Sequence, residues 1–420
     1  MGQLAQLATA DNSLRLQREI SRLAAMPEVR SALDWFRDQE AEFTRWQMEI
    51  ARIPAPPFGE MARADWLAER FRALRIGEVA KDRIGNVHAF RKGLGDEVVS
   101  ISAHIDTVFP ANTPLNIRQQ GTKLYGPGIS DNAAGVAALV AVAAAIEKFL
   151  LRHERSLLFI GNVGEEGEGD LRGMRHIFTQ SAWKDRIRSS LVIDGAGTET
   201  IVAEALGSRR FEVIVRGPGG HSWSDFGAPN PIGALGRAIH LFSQTRVSAS
   251  PKSTFNIGVI RGGTSVNSIP ESAAMRVDIR SSSTAEIDRI ELELRRAVEQ
   301  SIEEEELRAR HQRDSREPPA WLAAEVVVIG NRPGGELGAQ ARALEIARAV
   351  DSRLGNSAQV QRASTDANIP ISMGRDAIAI GGGGNGGGAH TLQEWFDPSG
   401  RLLGLTRILL IVLALAGAPR

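Results

Sequence analysis

The chain has no cysteine among its 420 residues. That removes disulfides and thiolate ligands together, so any bound metal has to be held by histidine, aspartate or glutamate. Charge of one sign is not in excess either: 50 lysines and arginines face 50 aspartates and glutamates. Such a balance leaves no broad electrostatic footprint for nucleic acid. Long hydrophobic runs are missing too. The stretch Ile408-Leu-Leu-Ile-Val-Leu-Ala-Leu-Ala-Gly417 is strongly apolar, but a bilayer span needs about 20 such residues, so it reads as a buried helix. The opening Met1-Gly-Gln-Leu-Ala-Gln6 has neither the basic flank nor the apolar core of a signal peptide. The expectation is a cytoplasmic protein with no nucleic-acid and no membrane partner.

What is present is a series of short apolar runs that end in chemically loaded loops. Ser156-Leu-Leu-Phe-Ile160 reads as a buried strand of a parallel sheet and continues into Gly161-Asn-Val-Gly-Glu-Glu-Gly-Glu-Gly-Asp170. In open α/β sheets, sites form where such strands end at their carboxyl edge. The adjacent Glu165 and Glu166 suit one metal ligand and one proton carrier. Val98-Val-Ser-Ile-Ser-Ala-His-Ile-Asp-Thr-Val108 is another strand. Residues two apart share a face, so His104 and Asp106 project together, as when a carboxylate orients a ligating imidazole. A strand-end hydrogen bond without metal would use the same pair.

Gly126-Pro-Gly-Ile-Ser-Asp-Asn-Ala-Ala-Gly135 leads into an alanine-rich helix that is apolar nearly all round and therefore buried. Asp131 lies at its mouth, where it or Ser130 would also serve as an N-cap. Leu191-Val-Ile-Asp-Gly-Ala-Gly197 is a further short strand, ending in Asp194. Late in the chain, Asp376-Ala-Ile-Ala-Ile380 runs through eight residues, seven of them glycine, to Ala389-His390. So many glycines mean either a flexible linker or close backbone packing.

A chain of 420 residues exceeds one ordinary core, so two domains are expected. Residues 13 to 50 carry helical signals around Trp35, Phe36, Phe43 and Trp46, stopped by Pro54-Ala-Pro-Pro57. After Ala205 the pattern changes to strand, helix, strand, strand, helix, strand, the ferredoxin-like order. The fold class is α/β: an α/β/α sandwich with a mixed, mostly parallel sheet, formed by residues 1–205 and 332–420. A ferredoxin-like α+β module, 206–331, is inserted into it. His88, His153, His176, His240 and His311 have no motif around them and read as structural.

The candidate metal ligands are His104, Asp131, Glu166, Asp194 and His390, with Glu165 unliganded. Five N/O donors exceed one tetrahedral zinc but suit two metals if one carboxylate bridges. Two metals roughly 3.5–4 Å apart activate water and polarise a carbonyl, while a free glutamate moves the proton. That is amide hydrolysis.

The ordered set His-Ile-Asp-Thr-Val, Gly-Pro-Gly-Ile-Ser-Asp-Asn, Gly-Glu-Glu-Gly-Glu-Gly, Asp194 and a late His-Thr-x-x-Glu strongly resembles the dizinc amidohydrolases. That family includes carboxypeptidase G, peptidase T, succinyl-diaminopimelate desuccinylase and the aminoacylases. The resemblance spans nearly the whole chain, including Ile53-Pro54 and Gly85-Asn86. It implies that His104 and Asp194 bind one zinc, that Glu166 and His390 bind the other, and that Asp131 bridges them. Cobalt or manganese would be accepted by the same donors. It further implies that Asp106 orients His104, that Glu165 is the general acid/base, and that the Asp131–Asn132 peptide is cis. The inserted module resembles the family's lid, which commonly also forms a homodimer. There His221 resembles the histidine that stabilises the oxyanion, while Asn267 and Arg280 resemble residues that bind substrate backbone and carboxylate. Aspartate at position 194 favours an exopeptidase on short peptides. An N-acyl-amino-acid deacylase is the alternative.

Overall fold

The structure, a computed structural model, describes residues 2–312, 321–338 and 340–417, with side chains from residue 14 onward. The chain divides into two compact units, one made of 1–205 with 336–420, the other of 206–335. The sequence reading had put the return to the first unit at 332, four residues early. The insert's last strand, Ala323–Arg332, carries it past the expected boundary at 331.

The first unit rests on a nine-stranded sheet. Ser156–Asn162, Val98–His104, Ile187–Ile193 and Asp376–Ile380 are neighbours at its centre and run parallel. Val87–Arg91 pairs antiparallel on one side and Thr200–Ala205 on the other, so the sheet is mixed and mostly parallel. Every residue of Val98–His104 and of Ser156–Asn162 is buried. Both faces are covered by helices, which is why these strands read as continuous apolar runs and not as alternating ones.

Ala133–Lys148 and Arg401–Ala416 both pack against Val98–His104, and all but two residues of each are buried. Alanine on the first keeps backbone and sheet close together. The second is the apolar tail of the sequence. Among the described residues no helix is long and apolar enough to cross a membrane.

The helical region expected over 13–50 is three helices: Gly2–Ala25, Pro27–Asp38 and Glu40–Ala51. Pro27 explains the first break, because a proline without an amide proton starts a helix far better than it continues one. Phe36, Phe43 and Trp46 are buried as a ring cluster joined by Trp35.

The second unit contains Gly207–Arg216, Pro231–Ser243, Ser253–Gly262, Ser272–Ser281, Thr284–Gln312 and Ala323–Arg332. Its four-stranded sheet is antiparallel throughout, with Ser253–Gly262 and Ala323–Arg332 at the edges. That is the ferredoxin-like arrangement.

One polar contact inside the first unit's helical layer can be weighed. Arg407 is wholly buried, and its Nε and Nη2 meet Asp351 Oδ1 and Oδ2 at 2.7 and 2.8 Å. Removing one partner of such a pair costs about 3–5 kcal/mol, because the other charge stays buried alone. Asp351→Ala is expected to lower the urea unfolding free energy of this unit by that amount. A loss below about 1 kcal/mol, the level of a surface pair, would contradict the assignment.

Candidate metal centre

The four central parallel strands end side by side, and each delivers a polar residue at its carboxyl edge. His104 is the last residue of its strand and lies opposite Asn162 on the neighbour. Four residues beyond Asn162 comes Glu166, one residue beyond Ile193 comes Asp194, and Ile380 leads to the loop that ends at His390. Asp131 enters from the turn before Ala133–Lys148. The peptide bond between Asp131 and Asn132 is cis.

Asp131 lies between the two histidines. Its Oδ1 is 3.1 Å from His104 Nε2, and its Oδ2 is 3.1 Å from His390 Nε2. His104 Nε2 is also 3.6 Å from Asp194 Oδ1, and His390 Nε2 is 3.0 Å from Glu166 Oε1. Ligand atoms of His104, Asp131 and Asp194 lie within 4.8 Å of one another, as do those of Asp131, Glu166 and His390. Two donors bound tetrahedrally at about 2.0–2.1 Å stand roughly 3.3 Å apart, which is the spacing found here. The donor set therefore fits two metal ions sharing one carboxylate. Glu165 forms a further group with His104 and Glu166 at the same spacing.

Charge has accumulated at this edge. Asp106, Asp131, Glu165, Glu166 and Asp194 are clustered with two imidazoles; of the carboxylates only Asp131 and Asp194 are more than marginally exposed, while His104 is buried and His390 is exposed. Burial on its own would lower His104, but hydrogen bonds to Asp106, Asp131 and Asp194 outweigh it and hold the imidazole well above its usual pKa. Hydrogen bonds to Asp131 and then Glu166 raise His390 to about 10. Burial would raise Asp131, yet both histidines hold it below the ordinary carboxylate range. In the metal-free protein, protons on the imidazoles occupy the places where cations would bind.

Asp106 faces the Nδ1 side of His104, as expected of a carboxylate that orients the imidazole, and it has a second set of partners. His104 Nδ1 is 3.2 Å from the main-chain carbonyl of Asp106, closer than the 3.6 Å to its carboxylate. The fully buried carboxylate also accepts from Glu165 N at 3.0 Å and Glu166 N at 2.8 Å. It clamps the acidic loop. Its distance from the imidazole follows from that grip.

Several contributors were missed. Asn132, not Ser130 or Asp131, caps the helix: its Oδ1 accepts from Gly135 N and from Gly195 N, and its Nδ2 donates to Ile193 O. Capping was legible in the residue type, but the tie to the Asp194 loop was not. Asp366, wholly buried, accepts from Asn162 Nδ2 at 2.6 Å, and burial raises it to about 7. A small antiparallel sheet of Arg118–Gln120, Lys123–Tyr125, Trp395–Asp397 and Asn385–Gly387 also went unseen. His390 lies on the connection between its last two strands. The glycine loop is packed backbone: a Cβ on Gly386 would strike Ser130 Oγ, and one on Gly381 would strike Ala196 O.

In the second unit, Gly220–His221 pairs with Ser268–Ile269, and Ser222 N donates to the carbonyl of Asn267 at 3.0 Å. His221 and Asn267 are thus neighbours, both exposed. Arg280 is not with them. It sits near the far end of Ser272–Ser281, opposite Ser208, with Nε bound to Asp278 at 2.6 Å. At about 3.3 Å per residue, roughly 25 Å of strand separates it from Ser272.

The model of peptidase family M20/M25/M40 matches residues 100–414. The chain is 27% identical over 205 residues to carboxypeptidase G2 of Pseudomonas sp. (strain RS-16), covering 47% of this chain and 48% of that protein. It is 29% identical over 210 residues to succinyl-diaminopimelate desuccinylase of Gluconobacter oxydans (strain 621H), covering 46% and 54%. These matches span about half the length of the curated relatives. Among solved structures, aminopeptidase PepT of Bacillus cereus superposes with a TM-score of 0.69 at 18% identity, over 90% of this chain and 99% of that one. The Saccharomyces cerevisiae dipeptidase Dug1p gives 0.69 at 11% identity, over 95% and 100%. With the family pattern running from the strand of His104 to the last buried helix, the chain belongs to peptidase family M20/M25/M40, a family of metal-dependent hydrolases.

Proposed function

We propose that the chain is a zinc exopeptidase on short peptides, with His104 and Asp194 holding one ion, Glu166 and His390 the other, and Asp131 both. The observation that carries this is Asp131, whose two oxygens each stand 3.1 Å from a different imidazole. Cobalt or manganese would suit the same oxygen and nitrogen donors. Bound there, the metals would supply Lewis acidity toward water and toward the scissile carbonyl.

The remaining chemistry falls to side chains. Glu165 accepts a proton as the water oxygen bonds to the carbonyl carbon, then gives that proton to the nitrogen as the carbon–nitrogen bond breaks. Its buried setting and the Asp106 clamp on its own amide hold it in place for both transfers. His221 would steady the oxyanion, and Asn267 beside it would bind the substrate backbone. Arg280, engaged by Asp278 through Nε, would meet a substrate carboxylate with its Nη edge.

Aspartate at 194 and the naming of several structural neighbours as aminopeptidase, tripeptidase or dipeptidase support peptides as substrates. The desuccinylase relative favours a second reading, deacylation of N-acyl amino acids. A mass-spectrometric screen of zinc-loaded protein against di- and tripeptides, C-terminal glutamate conjugates and N-acetyl amino acids separates the two. Preferred cleavage of free-amine peptides is expected, and a preference for acetylated amino acids would replace the first reading with the second. Glu165→Gln should lower kcat by roughly 10²–10⁴ while zinc content is unchanged. Undiminished turnover would remove Glu165 from the mechanism.

Metal uptake should also expel protons, because both histidines are held protonated above their ordinary pKa in the metal-free state and must be neutral to ligate. Titration calorimetry at pH 7 in two buffers of different ionisation enthalpy reads this directly. Equal heats in both buffers would contradict ligation by these imidazoles.

A homodimer through the 206–335 unit is part of the proposal. The edge strand Ser253–Gly262 is largely exposed, and Ile260, Trp223 and Val266 present 58%, 87% and 104% of their surface. An open apolar edge of this kind invites pairing. The separation of Arg280 from His221 and Asn267 supports a site served by two copies, since a short peptide does not span that strand. Light scattering should give twice the chain mass, and Ile260→Asp should give the monomer. A monomeric wild type would sink this part.

A further inference from the structure

Glu394 is a wholly buried carboxylate with no part in the ligand set just described. Its Oε1 accepts from Ser130 N and Asp131 N, both at 2.7 Å, and its Oε2 accepts from Gly128 N at 2.9 Å. The main-chain carbonyl of Glu394 takes Gly126 N at 2.9 Å as well. One residue thus receives four amides of a single turn. The next residue, Trp395, pairs with Tyr125 and continues the grip along the small sheet.

We propose that Glu394 is a positioning residue that pre-forms the bridging arm of the centre, fixing Asp131 relative to His390 before metal arrives. The proposal rests on Asp131 and His390 being ligands. Asp131 reaches the site from the 126–132 turn, and that turn has no regular secondary structure of its own to hold it. With its backbone amide anchored, only the two side-chain torsions of Asp131 remain to aim its oxygens. Glu394 stands four residues after His390 on the same hairpin, so the group that holds one donor is covalently tied to the other. Charge-assisted bonds from backbone N–H groups to a carboxylate are the short, strong kind.

A buried guanidinium supports the arrangement. Arg63 donates from Nε to Ile53 O at 2.8 Å and from Nη1 to Ile105 O at 3.1 Å, within the fields of both Asp106 and Glu394. Two non-ligand carboxylates therefore flank one cation, and each grips the amides of a ligand-bearing loop. Asp106 holds the Glu165–Glu166 pair, and Glu394 holds Asp131. Glutamine is not equivalent to Glu394, since a carboxamide offers one oxygen and would turn an N–H toward an N–H.

The test uses Glu394→Gln in the full chain, with zinc binding followed by competition against a chromophoric chelator. The second zinc equivalent should bind 10–100-fold more weakly, the usual consequence of losing an outer partner of a metal site. kcat should fall in parallel while KM stays within about threefold, in a protein that remains folded without metal but melts at a lower temperature, since buried amides lose an acceptor. Wild-type zinc affinity with a lowered melting temperature would mean that Glu394 is structural only and would overturn the proposal. A second measurement does not depend on the variant folding. Hydrogen exchange on the metal-free wild type, read by mass spectrometry with residue-level fragmentation, should find the amides of Gly128, Ser130 and Asp131 protected. Their rapid exchange would equally overturn it. Fewer than two zinc equivalents in the wild type would instead remove the two-metal reading, which the exchange experiment does not require.

Discussion

Everything at the carboxyl edge of this sheet answers to one electrostatic constraint. Five carboxylates are gathered where four parallel strands end, and little water reaches them. Unpaired charges in such surroundings are severely disfavoured unless cations or hydrogen bonds compensate them. The chain uses both. Asp106 takes two backbone amides, the buried Arg63 lies within its field, and the imidazoles of His104 and His390, held above their usual pKa, stand against Asp131. Metal ions in place of those protons would answer the same demand with the same donors. The proposed hydrolytic centre would then also be the solution to a charge problem.

The parts of this centre that were legible in the sequence share a feature. His104, Glu166 and Asp194 each follow an apolar run that had only one plausible fate, a buried parallel strand, and strand ends of that kind converge. Asp131 and His390 were harder, because one sits in a turn and the other beyond a run of glycine. They were read from their places at a helix mouth and beyond a strand end, with the motif resemblance adding their roles, and the geometry puts their atoms 3.1 Å apart. The antiparallel module was visible because an alternating strand such as Gly207–Arg216 cannot be mistaken for the buried kind.

What stayed hidden was of another sort. Asn132 and Glu394 lie in the quoted motifs, but their partners, like those of Arg63, are main-chain groups distant in sequence that the residue types do not name. Glu394 and Gly128 are separated by 266 positions. Asp106 was expected beside His104, but its grip on the amides of Glu165 and Glu166 was not, since they belong to a loop whose path no periodicity describes. The small four-stranded sheet that carries His390 escaped notice because strands of three residues, two of them largely glycine or polar, leave no pattern.

The order in which the donors are synthesised has a consequence for assembly. His104, Asp131, Glu166 and Asp194 all precede the inserted unit, whereas His390 and Glu394 follow it. Domains of a growing chain fold as they emerge, N-terminal parts first. While the 206–335 unit is being translated, the first half of the sheet carries an acidic, incomplete centre with one imidazole and no anchored bridge. The proposed ligand set, and the carboxylate proposed to anchor its bridge, are complete only once the chain has passed that unit.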